Sequence, residues 1–142
     1  MIIADTGFFV ALANRADKDN EAAIKALSRL KEGLVTSWPV VTETTHLLAA
    51  RVGTHALLSW VASARAGAFE IFDLKTEHWP RLEALMKHYA DLPMDLADAS
   101  LVLLAEEQND GRILSTDRRD FRTYQWKKRK PFKNLLDLDL DD

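Results

Sequence analysis

Four acidic residues stand where the sequence changes from an apolar run to a turn or a helix. Asp5 directly follows Ile2-Ile3-Ala4, and Asp117 follows Ile113-Leu114-Ser115-Thr116 in the same way. Asp98 lies near the start of the apolar segment 95–107, and Glu43 sits in the first turns of a helix opened by Pro39. In an open α/β sheet the ligand site lies at the carboxyl ends of the strands, so these positions can bring four carboxylates to one edge. At contact distance carboxylates repel strongly, and such a cluster persists mainly when a cation neutralises it. A ligand set of oxygens without His or Cys selects hard Mg²⁺ or Mn²⁺. The pocket suits phosphodiester hydrolysis, where a metal activates water and stabilises charge on the phosphate oxygens. In this reading Asp5, Asp98 and Asp117 hold the metal, and Glu43 completes the shell or orients the attacking water.

Each acid also has an ordinary structural reading. Asp5 can cap the following helix or make an Asx turn, and Glu43 can be a helix-surface glutamate. Asp95 and Asp98 lie three residues apart, on one helix face. Asp95 is well placed as an N-cap, with Asp98 in the first turn where the helix dipole favours a carboxylate. Asp95 is therefore either an auxiliary ligand or simply a cap. Thr6 and Thr116 are candidate supporting hydroxyls. Asp120 reads as an ion-pair or turn residue. His46, His55, His78 and His88 lack metal-cluster spacing and read as surface or packing residues. Trp38, Trp60, Trp79 and Trp126 read as core or interface anchors, with Trp126 the best placed to stack on a base.

The elements that must position these side chains follow from periodicity. Ile2–Ala4, Leu34–Trp38, Phe69–Phe72 and Arg112–Thr116 read as strands, and Phe132–Leu136 as a last edge strand. Between them, helices are expected from Phe8 to Ala13, from Asp19 or Asn20 to Gly33, from Pro39 to Arg51, from Thr54 to Ala66, from Glu77 to Tyr89 and from Asp95 to Glu107. In the fifth of these, Trp79, Leu82, Leu85 and Met86 share a face. Short strands alternating with helices require crossovers, hence an α/β three-layer domain with a parallel sheet of four or five strands flanked by helices.

The 142 residues, 47% hydrophobic and 29% charged, suit one globular domain. It spans residues 1–136, with an acidic tail at 137–142. The absence of cysteine excludes disulfides and thiolate metal sites, and fits a reducing cytoplasm. No run approaches the roughly 18 apolar residues of a membrane helix, so no membrane partner is expected. The net charge of −3 hides a basic segment containing Arg118, Arg119, Arg122, Lys127, Lys128, Arg129 and Lys130, which would hold a nucleic-acid backbone if it lies beside Asp117. The apolar residues Leu57, Leu58, Trp60 and Val61 would bury themselves in a homodimer or under a partner's helix.

These residues also carry a family resemblance. Ile3-Ala4-Asp5-Thr6-Gly7-Phe8 resembles the opening of PIN domains, and Pro39-Val40-Val41-Thr42-Glu43 resembles their second element. Leu96-Ala97-Asp98-Ala99-Ser100-Leu101 is similar to the third, and Leu114-Ser115-Thr116-Asp117-Arg118-Arg119-Asp120-Phe121 to the fourth. The similarity runs from Ile2 to about Phe132, with all four motifs in order. The resemblance implies a PIN-like parallel-sheet nuclease, dependence on Mg²⁺ or Mn²⁺, and RNA as substrate. It extends to the VapC-like toxins of bacterial toxin–antitoxin pairs, which implies a homodimer and a cognate antitoxin. The alternative is a catalytically inactive PIN-like module that binds RNA or protein. An aspartyl-phosphate phosphatase would place a second Asp two residues after the nucleophile, where this chain has Gly7.

Overall fold

Apolar tripeptides and tetrapeptides buried on both faces form the centre of the molecule, as parallel strands require. In the computed structural model, which describes residues 1–137, β1 (Ile2–Ala4) and β2 (Leu34–Ser37) have every residue buried. β1 runs parallel to β2 on one side and to β4 (Arg112–Leu114) on the other, with Ile3 opposite Val35 and Ile113. β3 (Phe69–Phe72) extends the sheet beyond β2, and β7 (Lys133–Asn134) extends it beyond β4. The five strands, ordered β3-β2-β1-β4-β7, are all parallel. The expected α/β architecture with helices flanking a parallel sheet is present.

The helices are α1 (Thr6–Ala13), α2 (Asn20–Arg29), α3 (Trp38–Arg51), α4 (Thr54–Arg65), α5 (Trp79–His88), α6 (Leu96–Gln108) and α7 (Arg118–Thr123). α6 lies against β1 and β2 with α5 beside it, while α1 packs on α2 and α3, and α3 carries α4. Residues 97 and 99–105 of α6 are all buried, which explains an apolar run with no polar face. Because every strand points the same way, the residues after β1, β2 and β4 emerge at one edge of the sheet. The helices that follow β1 and β2 start there.

Several expectations need correction. α2 ends at Arg29 with Leu30 as its cap, so Gly33 leads into β2 and does not terminate the helix. Asp19 occupies the N-cap position of α2 without a capping bond, because its carboxylate faces Arg118 at 3.4 Å. The expected helix from Glu77 begins as a 3-10 turn, Thr76–His78, before α5. Trp79 and Trp38 are 64% and 55% exposed and anchor no core. Each is the first residue of its helix, just before a proline, ahead of the face that packs inward. The last edge strand is only β7, followed by a 3-10 turn at Leu135–Asp137. Asp139, Asp141 and Asp142 of the acidic tail lie outside the described residues.

The basic segment holds an unforeseen antiparallel hairpin, β5 (Gln125–Trp126) with β6 (Lys130–Pro131). Its turn places Lys127 and Lys128 at φ 47 and 68, left-handed values for which the sequence offers no Gly or Asn. Trp126 is 7% exposed, donates Nε1–H to the Pro131 carbonyl and packs against Gly111. A Cβ at Gly111 would come within 2.1 Å of the indole nitrogen, so only glycine admits this packing. Trp126 is thus a core residue with Lys130 over its ring, and presents no open platform for a base.

Candidate active site

Asp5 leaves β1 in an extended conformation and caps α1. Its Oδ1 accepts from the Thr6 N–H at 2.8 Å, and its Oδ2 accepts from the Ser115 hydroxyl at 2.8 Å. The side chain is buried, and burial with the nearby Glu43 and Asp117 charges raises its pKa to about 6 against the two hydrogen bonds. Asp117 caps α7, its Oδ1 facing the Asp120 N–H at 3.4 Å. Desolvation and Asp120 push its carboxyl upward.

Asp98 occupies the first turn of α6, and Asp95 is that helix's N-cap, accepting from the Asp98 N–H at 2.9 Å. Asp95 therefore has the capping role, and also adds negative charge to the cleft. Asp98 Oδ2 accepts from the Tyr124 hydroxyl at 2.9 Å. Burial, followed by Asp95 and Asp5, lifts the Asp98 pKa to about 8. Burial and the Asp98 charge also hold the Tyr124 phenol protonated, which fits its donor role. Glu43 lies on the exposed side of α3, yet desolvation, Asp95 and Asp117 raise its pKa as well.

These mutual influences place Asp5, Glu43, Asp95, Asp98 and Asp117 in one electrostatic neighbourhood. No Lys or Arg is among the leading influences on Asp5, Glu43, Asp98 or Asp117. An all-carboxylate set raised first by burial and then by its neighbouring acids fits a hard divalent cation as its counter-charge. The match is one of donor chemistry: among the described residues no three His, Asp or Glu side chains form a ready-made metal cage.

Of the two expected supporting hydroxyls, Thr6 is buried with its oxygen unpartnered, and Thr116 bonds to none of the acids among the described residues. Ser115 does what was expected of them. Its hydroxyl donates to Asp5 and accepts from the Asp117 N–H at 3.0 Å, tying two of the acids together. Asn134 on β7 holds Ser115 in turn, accepting from its N–H at 3.2 Å and donating to its carbonyl at 2.8 Å. The sequence reading missed Ser115, Tyr124 and Asn134. Ser115 sits inside the motif that ends at Asp117, whereas the other two carry no comparable signal.

The basic residues divide into two groups. Arg118, Arg119 and Arg122 lie on α7 beside Asp117, but Arg118 pairs with Asp19 and Asp137, and Arg122 with Asp137. Lys127, Lys128, Arg129 and Lys130 belong to the hairpin, where the Lys127 N–H donates to Glu106 and its Nζ to Asn109. Glu106 is eight residues beyond Asp98 on α6, about 12 Å at 1.5 Å per residue. The hairpin therefore stands toward the other end of α6 from the acids, so of the basic segment only the α7 arginines meet the condition of lying beside Asp117.

A family profile described as PIN domain matches residues 2–127. Ribonuclease VapC26 of Mycobacterium tuberculosis is 31% identical over 120 residues, covering 84% of this chain and 89% of that protein. The crystal structure of Mycobacterium tuberculosis VapC20, a Sarcin-Ricin loop cleaving toxin, matches with a TM-score of 0.77. That match covers 84% of this chain and 92% of VapC20 at 18% identity, a likeness of fold.

Proposed function

The chain belongs to the PIN-domain family, and from that premise we propose that it is a metal-dependent endoribonuclease acting as the toxin of a toxin–antitoxin pair. The observation that carries the reading is the carboxylate cluster at the carboxyl edge of the sheet, in which Ser115 ties Asp5 to Asp117 and burial and neighbouring acids push up the carboxyls of Asp5, Glu43, Asp98 and Asp117. The similarity to a curated ribonuclease over most of both chains supports the substrate class.

In this proposal Asp5, Asp98 and Asp117 hold Mg²⁺ or Mn²⁺, and Glu43 orients the attacking water. When bound, the ion activates water and stabilises charge on the phosphate oxygens. Ser115 fixes the Asp5 carboxylate by its hydrogen bond, and Tyr124 occupies one oxygen of Asp98 while excluding solvent with its buried ring. Arg119 and the other α7 arginines guide the RNA backbone to the cleft, and the Lys127–Lys130 hairpin contacts it further away. A homodimer, a cognate antitoxin and a cytoplasmic setting complete the proposal, the last supported by the absence of cysteine.

The test is RNA cleavage by the full chain with Mg²⁺ or Mn²⁺, with EDTA, and with Asp5→Asn. We expect cleavage with either ion and a loss of at least about a hundredfold in the other two conditions, the scale of a removed electrostatic catalytic group. Turnover that survives EDTA rules out the metal mechanism, and turnover by Asp5→Asn displaces the site.

A further inference from the structure

Close in sequence to the clustered carboxylates lies a polar cavity of about 300 Å³. Gly7 and Thr116 contribute to its lining, and both are sequence neighbours of the acids: Gly7 is two residues after Asp5, and Thr116 directly precedes Asp117. The two walls meet closely. A Cβ on Gly7 would fall 1.8 Å from the Thr116 hydroxyl oxygen, so the glycine is what lets that hydroxyl sit over the first turn of α1.

The charges around the cavity do not balance. Asp19 faces Arg118 at 3.4 Å, and Asp17 spends one oxygen on the Asp19 N–H at 2.8 Å. Lys18 and Arg51 also line the cavity, and neither forms an ion pair among the described residues. With Asp19 engaged, two unpaired cations stand against the single carboxylate of Asp17. An Arg and a Lys converging on a polar hollow with an unbonded hydroxyl offer the donors that a phosphate group takes up. An anion held there would lie next to a cleft that itself needs a cation. A ligand spanning both must present anionic groups in succession, which is what a polynucleotide backbone does.

We infer that this cavity is a phosphate subsite of the RNA strand, in which Lys18, Arg51 and the Thr116 hydroxyl hold a phosphate adjoining the one at the acidic cleft. The inference rests on the ribonuclease reading, and it adds to the α7 arginines a backbone contact near the acids from residues outside the basic segment 118–130.

Two measurements test it on the full chain. In the first, inorganic phosphate is titrated in EDTA and followed by ¹⁵N NMR. It should shift the Arg51 Nε–H and the Gly7 and Thr116 amides, and the Gly7 and Thr116 shifts should vanish in the Lys18→Ala/Arg51→Ala double variant. In the second, a short single-stranded RNA is bound in Ca²⁺ and read by fluorescence anisotropy. The double variant should bind about tenfold more weakly, with a log–log salt slope shallower by about 0.7 for one lost phosphate contact. Phosphate shifts absent from wild type, or unchanged in the double variant, overturn the subsite. So does wild-type RNA affinity with an unchanged slope, and if Asp5→Asn still abolishes cleavage, that result leaves the ribonuclease reading standing. Active Asp5→Asn would remove the ribonuclease site as proposed, and the phosphate titration would then decide the cavity by itself.

Discussion

Asp98 is the most heavily loaded carboxyl of the cleft, with its pKa raised to about 8, while Asp5 is raised to about 6. In both, burial is the first cause and neighbouring carboxylates add to it. The consequence for stability has a definite sign. A carboxyl with a folded-state pKa above its unfolded value binds its proton more tightly in the folded chain. Its stabilising contribution is complete below the unfolded value of 3.8, and is lost as the pH rises through about 6 for Asp5 and about 8 for Asp98. In EDTA, the melting temperature should therefore fall from about pH 5 to about pH 8.5. Asp98→Asn should flatten the upper part of that fall and leave the metal-free protein as stable as wild type or more so. Saturating Mg²⁺ should oppose the fall, since the cation binds the ionised carboxylates of the folded state. Calorimetry across this range checks all three outcomes. A wild-type slope in Asp98→Asn above about pH 6 would show that the carboxylate is not under the strain described.

Among the elements, β7 is short but bears directly on the cleft. Asn134 extends the β4–β7 pairing with its side chain, and so fixes the N–H and carbonyl of Ser115, the residue that ties Asp5 to Asp117. Replacing Asn134 by Leu keeps the volume and removes both bonds to Ser115 and a third from the Leu136 N–H, leaving two polar groups of the buried Ser115 without these partners. The expected loss is about 1–3 kcal/mol in urea unfolding. It should be accompanied by a lower kcat at nearly constant KM, because Asp5 loses its alignment more than the RNA loses its contacts. Unchanged stability would mean that water replaces the amide without cost. The elements that deliver Asp5, Asp98 and Asp117 were legible because apolar runs and helix starts obey local rules, and β3 falls on its expected residues 69–72. Asn134 and Tyr124 were not legible: Tyr124 reaches Asp98 across 26 residues and Asn134 reaches Ser115 across 19, so each contact exists only after the chain has folded. The hairpin was hidden for a different reason. Its turn is made by lysines in the left-handed region, stabilised through Glu106 and the buried Trp126 and not by turn chemistry of its own.

For the molecule as a whole, an unfinished apolar surface lies on α4, which has no buried residue along its length. Leu58 and Val61 lie three residues apart on one face and are 61% and 45% exposed. The opposite side of α4, with Ala56, Ser59, Trp60 and Ser63, lines a groove of about 370 Å³ between α1, α4 and β3, floored by Phe9, Trp60 and Phe69. Those rings pack against one another at centroid distances of 5.0 to 5.3 Å, which fixes the inward side of α4 and leaves Leu58 and Val61 on its outward side. Burying the exposed Leu58–Val61 face gains about 25 cal/mol for each Å² of apolar surface removed from water. The homodimer proposed for this chain would cover it with the same helix of a second copy. Static light scattering at tens of micromolar should then give twice the 16.1 kDa chain mass. The double substitution Leu58→Asp/Val61→Asp should give the single-chain mass, since two facing pairs of carboxylates cannot be buried together. Because both side chains are already exposed, the variant's far-ultraviolet circular dichroism and its melting temperature at low concentration should stay close to those of dissociated wild type. A wild-type protein of single-chain mass would refute the dimer. A dimer that survives both substitutions would move its interface away from α4.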